Sequence, residues 1–445
     1  MSGTEYGAPI IPTSDDSRNC EFDINTMLQH EGLILSAHSY GRKPVVIYID
    51  PFSHGHHADY LAFFKIVCER TGQVLKAWVP EDVWNQANSR ALGVGCSDVL
   101  VRPVDATNFS KWQMMRLLEK IIAYAESEED AIIVLALLDP FLLGFALRKL
   151  MARKSKVPWQ GILFRDSYNF PEDEAPVSLA RLKSIVKFQA LRLALRNGAN
   201  ALLTHNSLSS ASLCVPTIWL PNSMSSLNHL AEQAVEQQGN WPVRQEPPKI
   251  DNRLRLFCFG VVTRRKGLVE FCRGLLMLEN RDLERIEFKI MGEMPRTRNS
   301  PQGYVMTLRN VVQRLNDRGA LVEFVGTYVS DRAIDEGLRW CDVVVAPYIG
   351  HVGSSGLINI AAQYGRPVIA QSSGQVGTEV RGHDLGVTID ARNSRDIVAA
   401  IQCFLAGTFQ LGDKMDQYRR RRTYSRALDI ATKALANTRT LCPAE

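Results

Sequence analysis

The sequence contains no CxxC pair. Its nine cysteines, Cys20, Cys68, Cys96, Cys214, Cys258, Cys272, Cys341, Cys403 and Cys442, are scattered, odd in number and mostly set in apolar segments. That pattern argues against a disulfide frame or a cysteine zinc site and predicts the reduced, buried thiols of a cytosolic protein. A long unbroken apolar run is missing as well. The most lipid-like stretch, AIIVLALLDPFLLGFAL (131–147), has Asp139–Pro140 at its middle, and a carboxylate there would cost roughly 3 kcal/mol in a bilayer. A buried strand, a turn and a buried helix are expected instead. The first residues, MSGTEYGAPIIPTSDDSRN, have neither the basic start nor the apolar core of a leader, so 1–40 read as a polar tail and lead-in. Strong charge of one sign is absent too: 52 Lys and Arg against 47 Asp and Glu leave +5 over 445 residues. So mild an excess gives no reason to expect nucleic acid as a partner.

What is present is ordinary globular composition, 45% hydrophobic and 22% charged, in a chain too long for one small core. Short Val-, Ile- and Leu-rich runs alternate with helical stretches. VVIYID (45–50), VLKAWV (74–79), DVLVRPV (98–104), AIIVLALLD (131–139), GILFRD (161–166), ALLTH (201–205) and TIWLP (217–221) form a first series. Residues 223–252 are polar, contain three prolines and read as a linker with room for one helix. A second series runs through RLRLFCFG (253–260), IEFKIMGE (286–293), LVEFVGTYV (321–329), VVVAPY (343–348), PVIAQ (367–371) and LGVTID (385–390). Strands without polar alternation are buried on both faces, the mark of parallel sheets covered by helices. The fold class is therefore α/β, with two Rossmann-like, doubly wound domains at 41–222 and 253–411. Residues 412–445 are left as a terminal helix. In such sheets ligands sit at the carboxyl ends of the strands, so the loops just after strands carry the interest.

The second half has three such loops. FGVVTRRKGLVEF (259–271) places Gly260, the cations Arg264, Arg265 and Lys266, and Gly267 between a strand and a helix start. An ammonium and helix-end amides together suit a phosphate. PYIGHVGSSGLINIAAQY (347–364) holds His351, Gly353, Ser354, Ser355 and Gly356 ahead of a helix. Its glycines would let the main chain approach a ligand, and its serines would cap the helix. SSGQVGTE (372–379) reads as a further glycine loop, and Glu293, His351 and Glu379 stand as candidate donor or acceptor contacts. Tight turns needing only positive φ are the plainer reading of any one loop. Three after strands of one sheet, one bearing a cation cluster, favour phosphate.

With KG opening the first helix, CDVVVAPY, and GRPVIA followed by a Gly-rich loop and a glutamate, the stretch from Arg253 to about Leu405 resembles the nucleotide-sugar domain of GT-B glycosyltransferases. It is closest in pattern to the retaining group marked by E-x7-E. The resemblance implies that Lys266 holds the donor diphosphate with help from the amides of Ser354, Ser355 and Gly356. It departs at the motif glutamates, whose positions, counted back from Gly365, are Val352 and Ile360. The arginine usual beside the first glycine would be Val261, with Arg264 or Arg265 as substitutes. Stereochemistry is not inherited.

In the first half, DPFSHGHHADYL (50–61) puts His54, Gly55, His56 and His57 directly after the first strand. Gly-His there is similar to inverting GT-B transferases, in which the histidine deprotonates the acceptor; the resemblance implies this role for His56, with His57 beside it and Asp50 to orient it. An imidazole with pKa near 6.5 suits such work. Three histidines within four residues do not readily converge on one ion, so no metal is expected, nor any cofactor beyond the nucleotide diphosphate sugar. Arg165 and Asp166, in GILFRDSYNF, are candidate acceptor contacts or a surface pair, and THNSLSS (204–210) most simply caps a helix.

Two segments, ALRKLMARKSK (146–156) and LARLKSIVKFQALRLALR (179–196), are basic and apolar at helical spacing. In the second, Leu182, Val186, Leu193 and Leu195 are expected in the core, with Arg181, Lys187, Arg192 and Arg196 outside. Such a helix is either a packed surface helix or a contact for anionic lipid. YRRRRTYSRALDIATKAL (418–435) reads as the long helix that, in this fold, returns to brace the first domain. The expectation is a cytoplasmic glycosyltransferase, peripheral at the inner membrane face if lipid is involved, joining a nucleotide sugar to a sugar or lipid-linked acceptor. A non-catalytic nucleotide-sugar-binding or scaffold relative is the alternative, and an epimerase of the same fold the third reading.

Overall fold

The structure is a computed structural model describing residues 43–52, 57–89, 99–164, 179–205, 213, 215–238, 252–294 and 302–437. The first apolar series forms β1 (Val45–Ile49), β2 (Val74–Val79), β3 (Leu100–Pro103), β4 (Ala131–Leu135), β5 (Trp159–Leu163), β6 (Ala199–Thr204) and β7 (Thr217–Trp219). The second forms β8 (Leu254–Phe259), β9 (Ile286–Met291), β10 (Leu321–Val325), β11 (Val343–Ala346), β12 (Val368–Gln371) and β13 (Gly386–Ile389). The sheets run β3-β2-β1-β4-β5-β6-β7 and β10-β9-β8-β11-β12-β13. Every strand pairing is parallel.

β1, β4 and β11 are buried at every residue. Helices therefore cover both faces, which explains their unbroken apolar sequences. In each sheet the strand order reverses once, between β1 and β4 and between β8 and β11. These are the points where a doubly wound sheet opens a crevice beyond its strand ends.

The polar segment after β7 contains a helix, Ser226–Gln238, whose Leu227 and Ala231 enter the apolar cluster around Phe257 and Ile360. The last helix, Tyr424–Asn437, gives Tyr424, Ala427, Leu428, Ala431 and Leu435 to the core of the first sheet, beside Val46, Tyr48 and Phe63. AIIVLALLDPFLLGFAL is β4, a turn and the helix Leu142–Leu150. No helix among the described residues is long and apolar enough to cross a membrane. Cys68, Cys258, Cys272 and Cys341 are buried free thiols, and burial raises the Cys68 thiol to about 12.

Two details differ from the sequence reading. SSGQVGTE is the start of a helix, Gly374–Gly382, rather than an open loop. In Leu179–Leu195, Leu182 and Val186 are 57% and 60% exposed, not core. Among the described side chains of this helix, Leu191, Ala194 and Leu195 are buried in its later turns, and the small Ser184 is buried earlier. Lys187, expected outside, is drawn to Asp139 at 2.5 Å.

If the terminal helix is a true part of the first core, truncating its buried Leu428 to alanine should cost about 2–5 kcal/mol. Urea unfolding of the full chain measures this; a loss under 0.5 kcal/mol would show that the helix is only laid on the surface.

Candidate functional site

The cation turn follows β8. Thr263 is extended, Arg264–Lys266 make one 3-10 turn, and Gly267 closes it at φ +67°. Only glycine fits at 267, because a Cβ would lie 1.9 Å from the Pro347 carbonyl oxygen. The turn is thereby pressed against the end of β11. Lys266 is buried, and its Nζ donates to the Phe259 carbonyl at 2.6 Å. Gly260, at φ +92°, lies alongside, where a Cβ would be 3.4 Å from that Nζ. Arg264 is exposed. Glu293, at the end of β9, is exposed next to the turn and accepts the Val262 amide through its carbonyl at 2.8 Å.

Tyr348 joins this turn to the loop after β11. Its ring lies 5.4 Å from Lys266 Nζ and 5.7 Å from the Arg265 guanidinium. Its hydroxyl is 2.9 Å from Ser355 Oγ. Arg265 donates to His351 Nδ1 at 2.5 Å, and His351 Nε2 lies 3.0 Å from the Ser354 carbonyl. A guanidinium only donates and a carbonyl only accepts, so this imidazole is neutral with its proton on Nε2. Gly260, Arg265, Lys266, His351, Ser354 and Ser355 are thus assembled in one place.

Neither serine caps the helix Gly356–Gln363: no side-chain bond reaches its first turn. Ser355 Oγ is held by Tyr348 instead, and Ser354 Oγ accepts from Asn222 Nδ2 at 3.3 Å. Gly353 also has a purpose other than the expected one. A Cβ there would fall 2.5 Å from the Phe164 carbonyl oxygen, so this glycine lets the loop meet the first half of the chain.

Across the crevice, Asp50 ends β1 almost fully buried. Its Oδ1 is 2.7 Å from His57 Nδ1, an ion-pair distance that lacks hydrogen-bond alignment, and its Oδ2 accepts from Tyr48. Asp50 therefore attends His57. His54, His56, Arg165 and Asp166 lie outside the described residues.

Glu379 is committed elsewhere. Its carboxylate receives Arg422 at 2.8 Å, Gln375 at 3.0 Å and the Tyr418 hydroxyl at 3.2 Å, all buried. Gln375 also donates to the His205 carbonyl at 2.9 Å. His205 Nδ1 bonds the Leu220 carbonyl at 2.7 Å, so Nε2 is the acceptor facing the Tyr60 hydroxyl at 3.1 Å. Tyr60, His205, Asn222, Gln375 and Arg422 carry the contact between the halves. Sequence reasoning missed them, although His205 lay in the THNSLSS motif and Arg422 in the RRRR run.

Burial pushes the His205 imidazole down to about 4 from 6.5. Between those values the unfolded chain binds the proton and the folded one does not, so acid favours unfolding. The stability from neutral His205 is complete above about pH 6.5 and is lost toward pH 4, on the order of 3 kcal/mol in all. Urea unfolding at pH 7, 6 and 5 should show the advantage of wild type over His205→Gln shrinking as pH falls; a constant gap would refute it.

Residues 253–406 match the family model described as "Glycosyl transferases group 1". No curated protein matches the chain in sequence. Among solved structures, sucrose-phosphate synthase from Thermosynechococcus elongatus is similar with a TM-score of 0.60 at 14% identity, over 90% of this chain and 99% of that one. Anabaena HepE in complex with UDP and glucose gives 0.58 at 14% identity, over 88% and 100%. The UDP-forming alpha,alpha-trehalose-phosphate synthase from Burkholderia xenovorans, in complex with glucose-6-phosphate, gives 0.57 at 12% identity, over 90% and 99%. At these identities the structures speak for the fold. Residues 253–406 thus match the group 1 glycosyl transferase model, within a chain that has the GT-B fold.

Proposed function

We propose that this protein transfers a sugar from a nucleotide diphosphate sugar to an acceptor hydroxyl. The observation that carries the reading is the joining of the Arg264–Lys266 turn to the 353–356 loop through Tyr348, inside the region that matches group 1 glycosyl transferases. Lys266 spends one ammonium proton on Phe259 and keeps two for diphosphate oxygens. The first amides of Gly356–Gln363, uncapped by any side chain, offer donors backed by the helix dipole. Fixed cations and amides aimed at the departing diphosphate stabilise its developing charge without reorganisation.

On the acceptor side, His57 takes the role of base or positioning group. With Asp50 at Nδ1, a proton from the acceptor hydroxyl passes to Nε2, and the buried carboxylate stabilises the imidazolium formed. The acceptor is a sugar or a lipid-linked hydroxyl. For the latter, exposed Leu182, Ile185 and Val186 beside Lys183 form the face that would rest on anionic lipid, which cosedimentation with phosphatidylglycerol vesicles tests. Apolar residues at both motif-glutamate positions, Val352 and Ile360, favour the second reading, nucleotide-sugar binding without transfer.

Incubation with radiolabelled uridine, guanosine and adenosine diphosphate sugars separates the two readings. Transfer or slow hydrolysis supports the enzyme, and binding alone supports the second reading. Lys266→Ala should weaken donor binding about 10–100-fold, the range of a charge-assisted hydrogen bond. His57→Ala should lower kcat about 10²–10⁴-fold with donor affinity kept. Full donor affinity in Lys266→Ala would remove the site.

A further inference from the structure

Away from the crevice, β3 is the border strand of the first sheet. Between it and the helix Lys111–Glu126 lies a cavity of about 580 Å³. Its wall combines Trp78, Phe109 and Leu117 with Arg102, Arg116 and Lys120, and no acidic residue lines it among the described residues. Three cations around an apolar hollow are unusual for a surface that merely meets water, where both signs normally mix.

Arg102 is held ready. Its guanidinium lies 4.1 Å from the centre of the Tyr124 ring and 5.5 Å from that of Trp78. Stacking fixes the plane of a guanidinium but leaves its edge donors in place for a planar or tetrahedral anion. Glu128, the carboxylate that senses Arg102, is taken by Lys76 at 2.6 Å. Trp78 lines the groove as well, with about nine-tenths of its surface buried.

We infer that this groove binds a small organic anion, a phosphate or carboxylate carried on a ring or short apolar body. The charged end meets Arg102, Arg116 and Lys120, while the body lies against Phe109, Leu117 and the Trp78 face. The inference stands on the border of the first sheet and does not rest on the transferase reading.

Calorimetric titration of the full chain with phenyl phosphate, benzoate and inorganic phosphate tests it. One of the two ring-bearing anions should bind at least tenfold tighter than inorganic phosphate, because ring burial adds to ion pairing; which one binds identifies the anion as phosphate or carboxylate. Arg116→Ala and Lys120→Ala, both at exposed positions, should each weaken binding about tenfold. Lys266→Ala should not affect this binding. No measurable binding of either ring-bearing anion, indifference to Arg116 and Lys120, or loss with Lys266→Ala overturns the assignment.

Discussion

Arg422 lies where the chain leaves the helix Asp413–Arg421 on the second half and turns into the helix Tyr424–Asn437 of the first. It is buried, with its guanidinium 4.2 Å from the Tyr418 ring and 4.9 Å from that of Trp219 in β7. A charge so placed is tolerable only if paired and hydrogen-bonded, and Glu379 supplies the pair. Its own carbonyl accepts from Gln363 at 3.1 Å. Through Glu379 and Gln375 the same network reaches the backbone of His205 in the first half. One ion pair thus fixes the point at which the polypeptide crosses between its two sheets. Whatever the crevice does, it does between walls registered by that crossing.

The crevice shows the converse use of charge. Around β8 and β11, among the described residues, Lys266 and Arg265 are immobilised by groups other than acids. Lys266 is held by a carbonyl and an aromatic face, and Arg265 by an imidazole and the same ring. Such partners orient a cation while leaving its charge in place, whereas Glu379 and Arg422 cancel each other. That contrast separates a structural ion pair from groups poised for an anion better than the charge count of either region.

The strands and their order were legible because burial on both faces imposes an unbroken apolar signature. All thirteen apolar runs became strands within a few residues. The cation turn was legible because glycine and Lys-Gly stand together in sequence. What failed depended on a partner distant in sequence. Leu182 and Val186 have core spacing, but the apolar side chains this helix buries are Leu191, Ala194 and Leu195, packed with strand residues such as Trp159 and Leu202. Gly353 looked like a ligand-approach glycine, yet the atom it accommodates belongs to Phe164, nearly two hundred positions earlier. The Ser354 and Ser355 hydroxyls were expected to cap the helix, and Asn222 and Tyr348 engage them instead. His205 and Arg422 carried no local signal of burial at all, one in a polar motif and the other in a run of arginines.

The missing glutamates bear most directly on chemistry. Ile360 is 1% exposed in an apolar cluster with Phe257, Leu357 and Tyr364. A carboxylate there would be desolvated without a counter-charge, so isoleucine at 360 is a packing requirement of this core. Glu379 cannot stand in, because releasing it would leave Arg422 buried and alone. Glu293 is exposed, with its backbone carbonyl bonded to the Val262 amide beside the cation turn. On the proposed reading, the ammonium and helix-end amides would serve the departing diphosphate, while apolar residues stand at the two positions where the resemblance would place acids. Such a site would hold a diphosphate by fixed charge and would meet sugar hydroxyls without a carboxylate at those two positions.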